Sequence, residues 1–122
     1  MTQRCFQGTT QLSPNEVVRL CEVSVKKRPL SLRALGAERF TPRDPGGAGD
    51  SPIAEVGFEL TRAGRQSGST IVVSVFRVAG ETLVRVLQRT IARAPMNPLD
   101  PLRRHIVKKL EGTDPTLHFN KC

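Results

Sequence analysis

The sequence lacks tryptophan and tyrosine altogether, and its only aromatic residues besides histidine are five phenylalanines. The phenylalanines are spread along the chain one to a segment, which is typical of residues that fill a core. Stacking of nucleic-acid bases depends on aromatic side chains at a surface. The missing tyrosine and tryptophan therefore argue against a stacking platform, although they leave binding to a phosphate backbone open.

Cysteine is scarce as well, with Cys5, Cys21 and Cys122 as its three occurrences. The number is odd, no CxxC pair occurs, and no Cys/His cluster has the spacing of metal ligands. We therefore expect no disulfide framework, no zinc or other metal site and no cofactor, and a reducing cytoplasmic location. Cys21 falls among the apolar positions of a predicted helix, where it is expected to be a small core residue.

Long apolar runs are also missing. The longest stretches, 71–73 and 75–76, are far shorter than the roughly 20 residues that span a bilayer. The N-terminus lacks the apolar stretch of a signal peptide. We expect no transmembrane segment, so that any contact with a membrane, such as the plasma membrane, is peripheral.

Catalytic signatures do not occur. There is no Gly-rich phosphate loop, no HExxH, no GxSxG and no calcium-binding loop. His105 lies in a basic, exposed stretch, and His118 lies near the C-terminus. Glu55 and Glu59 share one side of a predicted strand, as solvent-facing residues commonly do. We expect a protein that is not an enzyme.

The chain does have an excess of positive charge. Nineteen Lys and Arg residues against eleven Asp and Glu give a formal net charge of +8. Such an excess predicts attraction to nucleic acid, a membrane surface or an acidic protein face. With 122 residues, the chain has the length of one domain with a core of its own.

Residues 13–28 carry a clear helix signal. Ser13 supplies an N-cap hydroxyl, Pro14 suits the first helical position, and Glu16 completes a capping box. Apolar residues then recur at helical spacing. Pro29 ends the pattern after three cations, which suit the C-terminal end of a helix dipole.

The middle of the chain predicts strands. One short strand fits within 1–12 and another ends at Phe40, before a Pro- and Gly-rich segment, 41–52, that we expect to be a mobile loop. Residues 53–60 alternate apolar and polar side chains, and residues 69–78 are rich in β-branched side chains. These two segments are expected to pair as an antiparallel hairpin.

Residues 81–94 show the strongest helical periodicity in the chain, and Pro95 ends it. The positions that share one predicted face are Leu83, Val86, Leu87, Thr90, Ile91 and Ala94. Arg85, Arg89 and Arg93 recur every four residues on the other side, and no acidic residue follows Glu81 within this segment. The pattern predicts a helix that presents a row of arginines.

A further helix is predicted after Asn97 and Pro98, which fit an N-cap and the first helical position. Its apolar stripe consists of Leu99, Leu102, Ile106 and Leu110. The expected fold is α+β, with an antiparallel sheet of about four to five strands, a helix near each end packed on one face, and an extra C-terminal helix. We divide the chain into a domain at 1–94, the added amphipathic helix at 95–112 and a tail at 113–122.

Basic residues are the candidate functional site. A phosphate-rich membrane surface attracts each of them by about 1 kcal/mol, so that several on one surface would give useful peripheral binding. The residues expected to contact an anionic ligand are Lys26, Lys27, Arg28, Arg85, Arg89, Arg93, Arg103 and Arg104. Lys108 and Lys109 extend the last of these clusters.

The run Ser69–Ala94 resembles the closing segment of kinase-associated-1 domains. In that family a strand of alternating apolar residues, here Ile71, Val73 and Val75, leads through a short Gly-containing turn to an amphipathic helix. The capped helix that starts at Ser13 resembles the first helix of the family. The resemblance covers about residues 5–94, while the long 41–52 loop and the helix after residue 95 depart from it.

This resemblance implies a regulatory domain of AMP-activated-kinase-related or checkpoint serine/threonine kinases. Its fold would be a concave antiparallel sheet with a helix from each end of the sequence packed on it. It would bind anionic phospholipid through basic surface residues and restrain a kinase domain, or another protein partner, by direct contact. Those functions constitute the leading hypothesis.

Two other functions fit the sequence. An RNA-binding α+β module, similar to those of the signal recognition particle, would use the same charge to grip phosphates. A protein-assembly domain would lay the apolar stripe of the 99–110 helix in a groove of its partner. RNA is the less favoured partner because tyrosine and tryptophan are missing.

Overall fold

A computed structural model describes residues 2–32, 36–42, 51–91 and 99–122. The strands and helices in chain order are β1 (Thr2–Thr10), α1 (Pro14–Lys26), β2 (Gly36–Phe40), β3 (Ala54–Arg62), β4 (Arg65–Val78), β5 (Glu81–Thr90), α2 (Leu99–Thr113) and β6 (Asn120–Lys121). The six strands form one antiparallel sheet in the order β2-β3-β4-β5-β1-β6. The α+β class is confirmed, with more strands than expected.

Helix α1 begins and ends where its sequence indicates. The Ser13 hydroxyl accepts a hydrogen bond from the Glu16 amide at 3.2 Å, and Pro14 occupies the first turn. This capping satisfies one of the amides that a helix start leaves without an intrahelical partner. Cys21 lies on the buried side, as the periodicity predicts.

Two tight hairpins build the centre of the sheet. Ala63 and Gly64 connect β3 to β4 with φ of 51° and 76°, and Ala79 and Gly80 connect β4 to β5 with φ of 51° and 81°. Positive φ at both central residues is the geometry whose twist matches antiparallel strands, and glycine adopts it without steric cost. The predicted hairpin is confirmed, and a second hairpin follows it directly.

That second hairpin overturns the predicted helix at 81–94. Residues 81–90 form β5, which pairs with β4 on one side and β1 on the other. Its side chains alternate: Val84 and Val86 are fully buried, whereas Arg89 is exposed. The prediction was wrong because apolar pairs at 83–84 and 86–87 satisfy both a helical and a strand period. Arg93 lies outside the described residues.

The helices α1 and α2 pack on one face of the sheet and on each other. We call this the inner face, and the opposite one the open face. The residues of the core that are 0 % exposed are Val17, Cys21, Ile71, Val73, Val75, Val84, Val86, Leu99, Ile106, Leu110 and Leu117. Strands and both helices contribute to this one core, so that α2 belongs to the same unit as β1–β5.

The C-terminal segment, which the sequence places in a tail, is tied to β1 in several ways. Leu117 is fully buried, and β6 pairs with β1 beside Phe6. A Cβ atom added to Gly8 would lie 2.5 Å from the His118 carbonyl oxygen, so only glycine permits the backbone of this segment to cross β1 so closely.

A disulfide joins Cys5 to Cys122, whose Cα atoms are 5.2 Å apart. The expectation of no disulfide is wrong because the two cysteines, 117 positions apart in sequence, become neighbours only when β6 pairs with β1. Within the described ranges, neither helix is long and apolar enough to cross a membrane. The predicted 41–52 loop falls mostly on 43–50, which lie outside the described residues.

Candidate functional site

The predicted basic residues do not form one surface. Arg103 and Arg104 lie on α2, against the inner face of the sheet, whereas Arg85 and Arg89 alternate onto the open face. The arginine row expected on a helix therefore does not exist, since a strand carries its first two members and the third lies outside the described residues. Lys26 and Lys27 are exposed at the C-terminal end of α1.

Two of these cations serve structural contacts. Arg28 donates from Nη1 to the Val25 carbonyl at 2.7 Å and from Nε to the Leu32 carbonyl at 3.1 Å, and so closes the C-terminal end of α1. Arg85 donates to Gln7 at 3.4 Å and lies 4.9 Å from the centroid of the Phe76 ring. Neither side chain is freely presented to a ligand.

A groove of about 420 Å³ runs along α2, between the helix and the edge of the sheet at β1 and β6. We call it the α2 groove. Its lining combines apolar with mostly cationic side chains: Phe6, Val107 and Phe119, with Arg103, Arg104, Lys108 and Glu111. Val107 and Lys108 lie beside the buried stripe of α2, so the helix presents both an apolar and a charged side chain to the groove.

Arg103 is held rigidly in the wall of the groove. Its guanidinium carbon lies 4.3 Å from the centroid of the Phe6 ring, and Nη2 lies 3.8 Å from the Asp100 carboxylate. Burial lowers the pKa of Arg103, and the nearby Asp100 opposes that effect. A guanidinium nevertheless stays charged at any physiological pH, so the wall keeps a fixed positive charge stacked on an aromatic ring.

Asp100 anchors this wall to the sheet. Its carboxylate accepts a hydrogen bond from the fully buried Gln88 amide at 2.7 Å and pairs with Arg4 at 3.4 Å. The first turn of α2 is thereby fixed on β5 and β1. Because Asp100 is already shared among these groups, it neutralises Arg103 only in part.

The remaining cations of the groove have no such partner. Arg104 and Lys108 are exposed, one turn apart on α2, and neither forms an ion pair with any acidic side chain in the described part of the chain. Lys121 lies opposite Phe6 in the β1–β6 ladder, so its side chain leaves the sheet on the same face. Glu111 instead accepts the Phe119 amide at 3.2 Å.

A larger depression of about 620 Å³ lies around the β1–α1 and β4–β5 connections. Small polar side chains and turn backbone form most of its lining, and its charged members are Glu16, Arg77 and Glu81. Two carboxylates against one guanidinium do not suit an anionic ligand. The α2 groove is therefore the better candidate.

The groups considered for catalysis have structural contacts. Burial raises the pKa of the Cys21 thiol to about 12, with the Glu22 carboxylate adding to the effect, so the reactive thiolate is not populated at neutral pH. Glu55 accepts the Ser74 hydroxyl at 2.6 Å, and Glu59 accepts the Gly68 amide at 2.9 Å. Among the described residues, no cluster of His, Cys, Asp and Glu could hold a metal ion.

No protein family, curated protein or solved structure matches this chain. The geometry of the α2 groove is therefore the basis on which a function is assigned. Sequence reasoning found Arg103, Arg104 and Lys108 as a basic cluster, but it missed Phe6 and Phe119. The available signal for Phe119 was the alternation of the apolar Leu117 and Phe119 with the polar His118 and Asn120, in a segment interpreted as a tail.

Proposed function

We propose that the chain is a non-catalytic regulatory module, similar to kinase-associated-1 domains, that docks on anionic phospholipid surfaces through the α2 groove. In the parent protein it would restrain a serine/threonine kinase by protein contact while it is off the membrane. It would act at a membrane surface as a peripheral protein. The observation that carries the proposal is the pair of unpartnered cations, Arg104 and Lys108, beside an apolar floor.

The architecture supports the proposal. The family resemblance implies two helices packed on one face of an antiparallel sheet, and α1 and α2 pack in that way. The second helix of the family was expected within 81–94, however, whereas α2 lies beyond the segment that the resemblance covers. The run 69–90 does not itself support the resemblance, because it continues from a strand into a second strand rather than into a helix. The helix that closes the fold is α2, which begins at Leu99.

The chemistry of the groove supports a phospholipid surface over other anions. Phe6, Val107 and Phe119 offer apolar area, which gains free energy at the boundary between headgroups and acyl chains. Arg104, Lys108 and Lys121 offer charge at the same place, where anionic headgroups lie. A nucleic-acid backbone would use the charge but leave the apolar floor without a partner.

The protein-assembly alternative required the apolar stripe of α2 to be exposed, and it is not. Leu99, Leu102, Ile106 and Leu110 are at most 2 % exposed, because they pack in the core of this domain. They are not available to a groove on another protein. An assembly function would need the outer side of α2 or another surface.

Vesicle binding tests the proposal. We expect the wild-type chain to sediment with vesicles of phosphatidylcholine and phosphatidylserine but not with phosphatidylcholine alone. The Arg104→Ala/Lys108→Ala variant should bind about thirty-fold more weakly, since two basic residues contribute about 1 kcal/mol each. The Val107→Asn variant should also bind more weakly while the charge remains, which separates the apolar contact from simple attraction.

The matched control is Arg62→Ala/Arg65→Ala. It removes two exposed cations on the β3–β4 hairpin, on the far side of the sheet from the α2 groove, and should bind as the wild type does. If both double variants lost vesicle binding equally, net charge alone would explain the binding, and the groove would be rejected as the site. Binding to structured RNA at moderate salt, without binding to anionic vesicles, would favour the RNA-binding alternative.

A further inference from the structure

The open face of the sheet has no covering layer in the described part of the chain, because α1 and α2 both pack on the inner face. Ile53, Val78 and Ile91 are 51 %, 43 % and 54 % exposed, and the strand alternation places all three on this open face. Of the exposed large hydrophobic side chains in the described ranges, only Leu30 lies elsewhere. Ile53 and Val78 lie toward one end of the central strands and Ile91 toward the other, so exposed apolar side chains occur at both ends of this face.

The charges on the open face are separated by strand over the middle of the sheet. Glu55 and Glu59 lie on β3, whereas Arg85 and Arg89 lie on β5, and β4 between them carries no charge on this face. The exception is Glu81, at the end of β5 opposite Val78 and beside the β4–β5 turn. The ladder aligns Glu59 with Arg89 and Glu55 with Arg85, two strands apart in each case. Two strand spacings amount to about 10 Å, too far for an ion pair within one chain.

A neighbouring carboxylate makes the acidic side of this face more negative. Glu38 on β2 lies directly opposite Glu59 on β3, and like charges at directly opposed positions repel each other. In the described part of the chain, neither forms an ion pair. A cation supplied from outside the chain would relieve that repulsion.

A second copy of the chain, related by two-fold symmetry, could supply that cation. A two-fold axis lying between two stacked sheets and parallel to β4 places β3 of one copy over β5 of the other. Glu59 then faces Arg89 twice, and these are the pairs on which the arrangement depends. Glu55 comes to lie over Arg85, whose side chain already contacts Gln7 and Phe76 of its own chain. A two-fold axis across the strands would instead place acid over acid and arginine over arginine. The charge pattern therefore fits only the first arrangement of two identical faces.

The uncharged strand lies on that axis. Val72 of β4 points to the open face and meets the same strand of the second copy, whereas Phe76 on that face is 9 % exposed and lies against Arg85 of its own chain. Facing sheets pack about 10 Å apart, a gap that apolar side chains from both sides fill. Side chains of facing sheets point toward each other, so a Glu and an Arg can meet across this gap, whereas side chains two strands apart on one face point in the same direction.

We propose that the open face binds a second copy of this chain in a two-fold, sheet-on-sheet dimer. The described face spans about 20 Å across the strands and about 25 Å along them, or about 500 Å² in each copy. A standard interface buries about 800 Å² in each partner. The dimer is accordingly weak, with a micromolar rather than a nanomolar dissociation constant, and it leaves the α2 groove free.

Charge reversal tests the dimer in sedimentation velocity over a concentration series. Arg89 is exposed and forms no ion pair within the described residues. The Arg89→Glu variant should raise the dissociation constant at least about tenfold, the effect of about 1.4 kcal/mol. Glu59→Arg should do the same. The Glu59→Arg/Arg89→Glu double variant should recover the dimer, because it exchanges the two charges.

Further variants keep the result unambiguous. Val72→Lys places two ammonium groups against each other on the axis and should abolish association. Lys109→Glu makes the same charge change as Arg89→Glu at an exposed position of α2 outside the groove lining and should leave association intact. Circular dichroism checks that each variant is folded. The proposal is overturned if the wild type stays monomeric at every concentration, if Arg89→Glu dimerises as the wild type does, or if the folded double variant fails to recover.

Discussion

Asp114, just past the end of α2, holds three parts of the chain together. One carboxylate oxygen accepts hydrogen bonds from the Thr10 hydroxyl at 2.7 Å and the Gln11 amide at 2.9 Å. The other accepts the Thr116 amide at 3.0 Å and its hydroxyl at 2.6 Å. Because these donors, Thr116 first and then Thr10 and Gln11, favour the ionised carboxylate, the pKa of Asp114 lies well below its usual range.

The Asp114→Asn variant should lower the free energy of unfolding at neutral pH by about 2 kcal/mol, since hydrogen bonds to a charged group are lost. The folded-state pKa lies below the unfolded value of about 3.9. The stabilisation is therefore complete well above that value and is lost as the pH falls through the folded pKa. Urea unfolding of both proteins should show a difference at pH 7 that narrows in acid; an equal difference at both would contradict this assignment.

At the scale of the element, sequence reasoning succeeded where a local signal decides the structure. The Ser13 cap and the apolar stripe of α2 fixed two helices, and the alternation in 53–60 fixed β3. It failed for 81–90 because the apolar positions of this segment fit a helical as well as a strand period. Pairing of β5 with β1 joins residues far apart in sequence, so the local sequence does not indicate it. Gln88 also obscures the strand pattern, because it is a polar residue at a buried position of β5, where its side-chain amide donates to Asp100.

The same difference explains what could be predicted of the candidate site. Arg103, Arg104 and Lys108 are close in sequence, so their clustering on α2 was visible. Phe6 and Phe119 come from opposite ends of the chain and meet at the groove only because β6 pairs with β1. Tertiary pairing of this kind leaves no local signature.

Helix α2 belongs to the core, so a chain that stops at residue 91 should not fold. It would lose Leu99, Leu102, Ile106, Leu110 and Leu117, each at most 2 % exposed. Each buried side chain is worth about 1.5–3 kcal/mol, and together they match the net stability of a whole domain. Circular dichroism and amide dispersion in NMR should show an unfolded chain. Cooperative unfolding of that truncated chain would instead make α2 peripheral.

A point variant supplies the control for that truncation. Lys109 is exposed on α2, and Lys109→Ala keeps the helix and its apolar stripe. We expect its unfolding midpoint to stay close to that of the wild type, because an exposed lysine contributes little to packing. A large loss in this variant would point to a defect in the helix rather than in the core.

For the whole molecule, the Cys5–Cys122 disulfide closes nearly the entire chain into a loop. Cys122 also donates its amide to the Cys5 carbonyl at 3.1 Å, so the bond lies at a place where the backbone is already paired. Leu117 and Asp114 hold the preceding segment independently. The disulfide therefore restrains the unfolded chain without being needed to bring β6 to β1.

The Cys5→Ser/Cys122→Ser variant should unfold at a lower temperature or denaturant concentration than the oxidised protein. Loop closure over a separation of 117 residues sets an upper limit of about 5 kcal/mol on the loss. Reductant should destabilise the wild type to a similar level and leave the variant unchanged. Equal stability of the oxidised wild type and the variant would contradict a stabilising role.

The same bond determines how the domain responds to a pulling force. Tension applied at the two ends of the chain would pass from the first few residues of β1 through the sulfur–sulfur bond to Cys122. The hydrogen bonds of the sheet and the packing of both helices would lie outside that path. While the disulfide is intact, the domain would behave under tension as a short covalent link, and reduction would convert it into an extensible one.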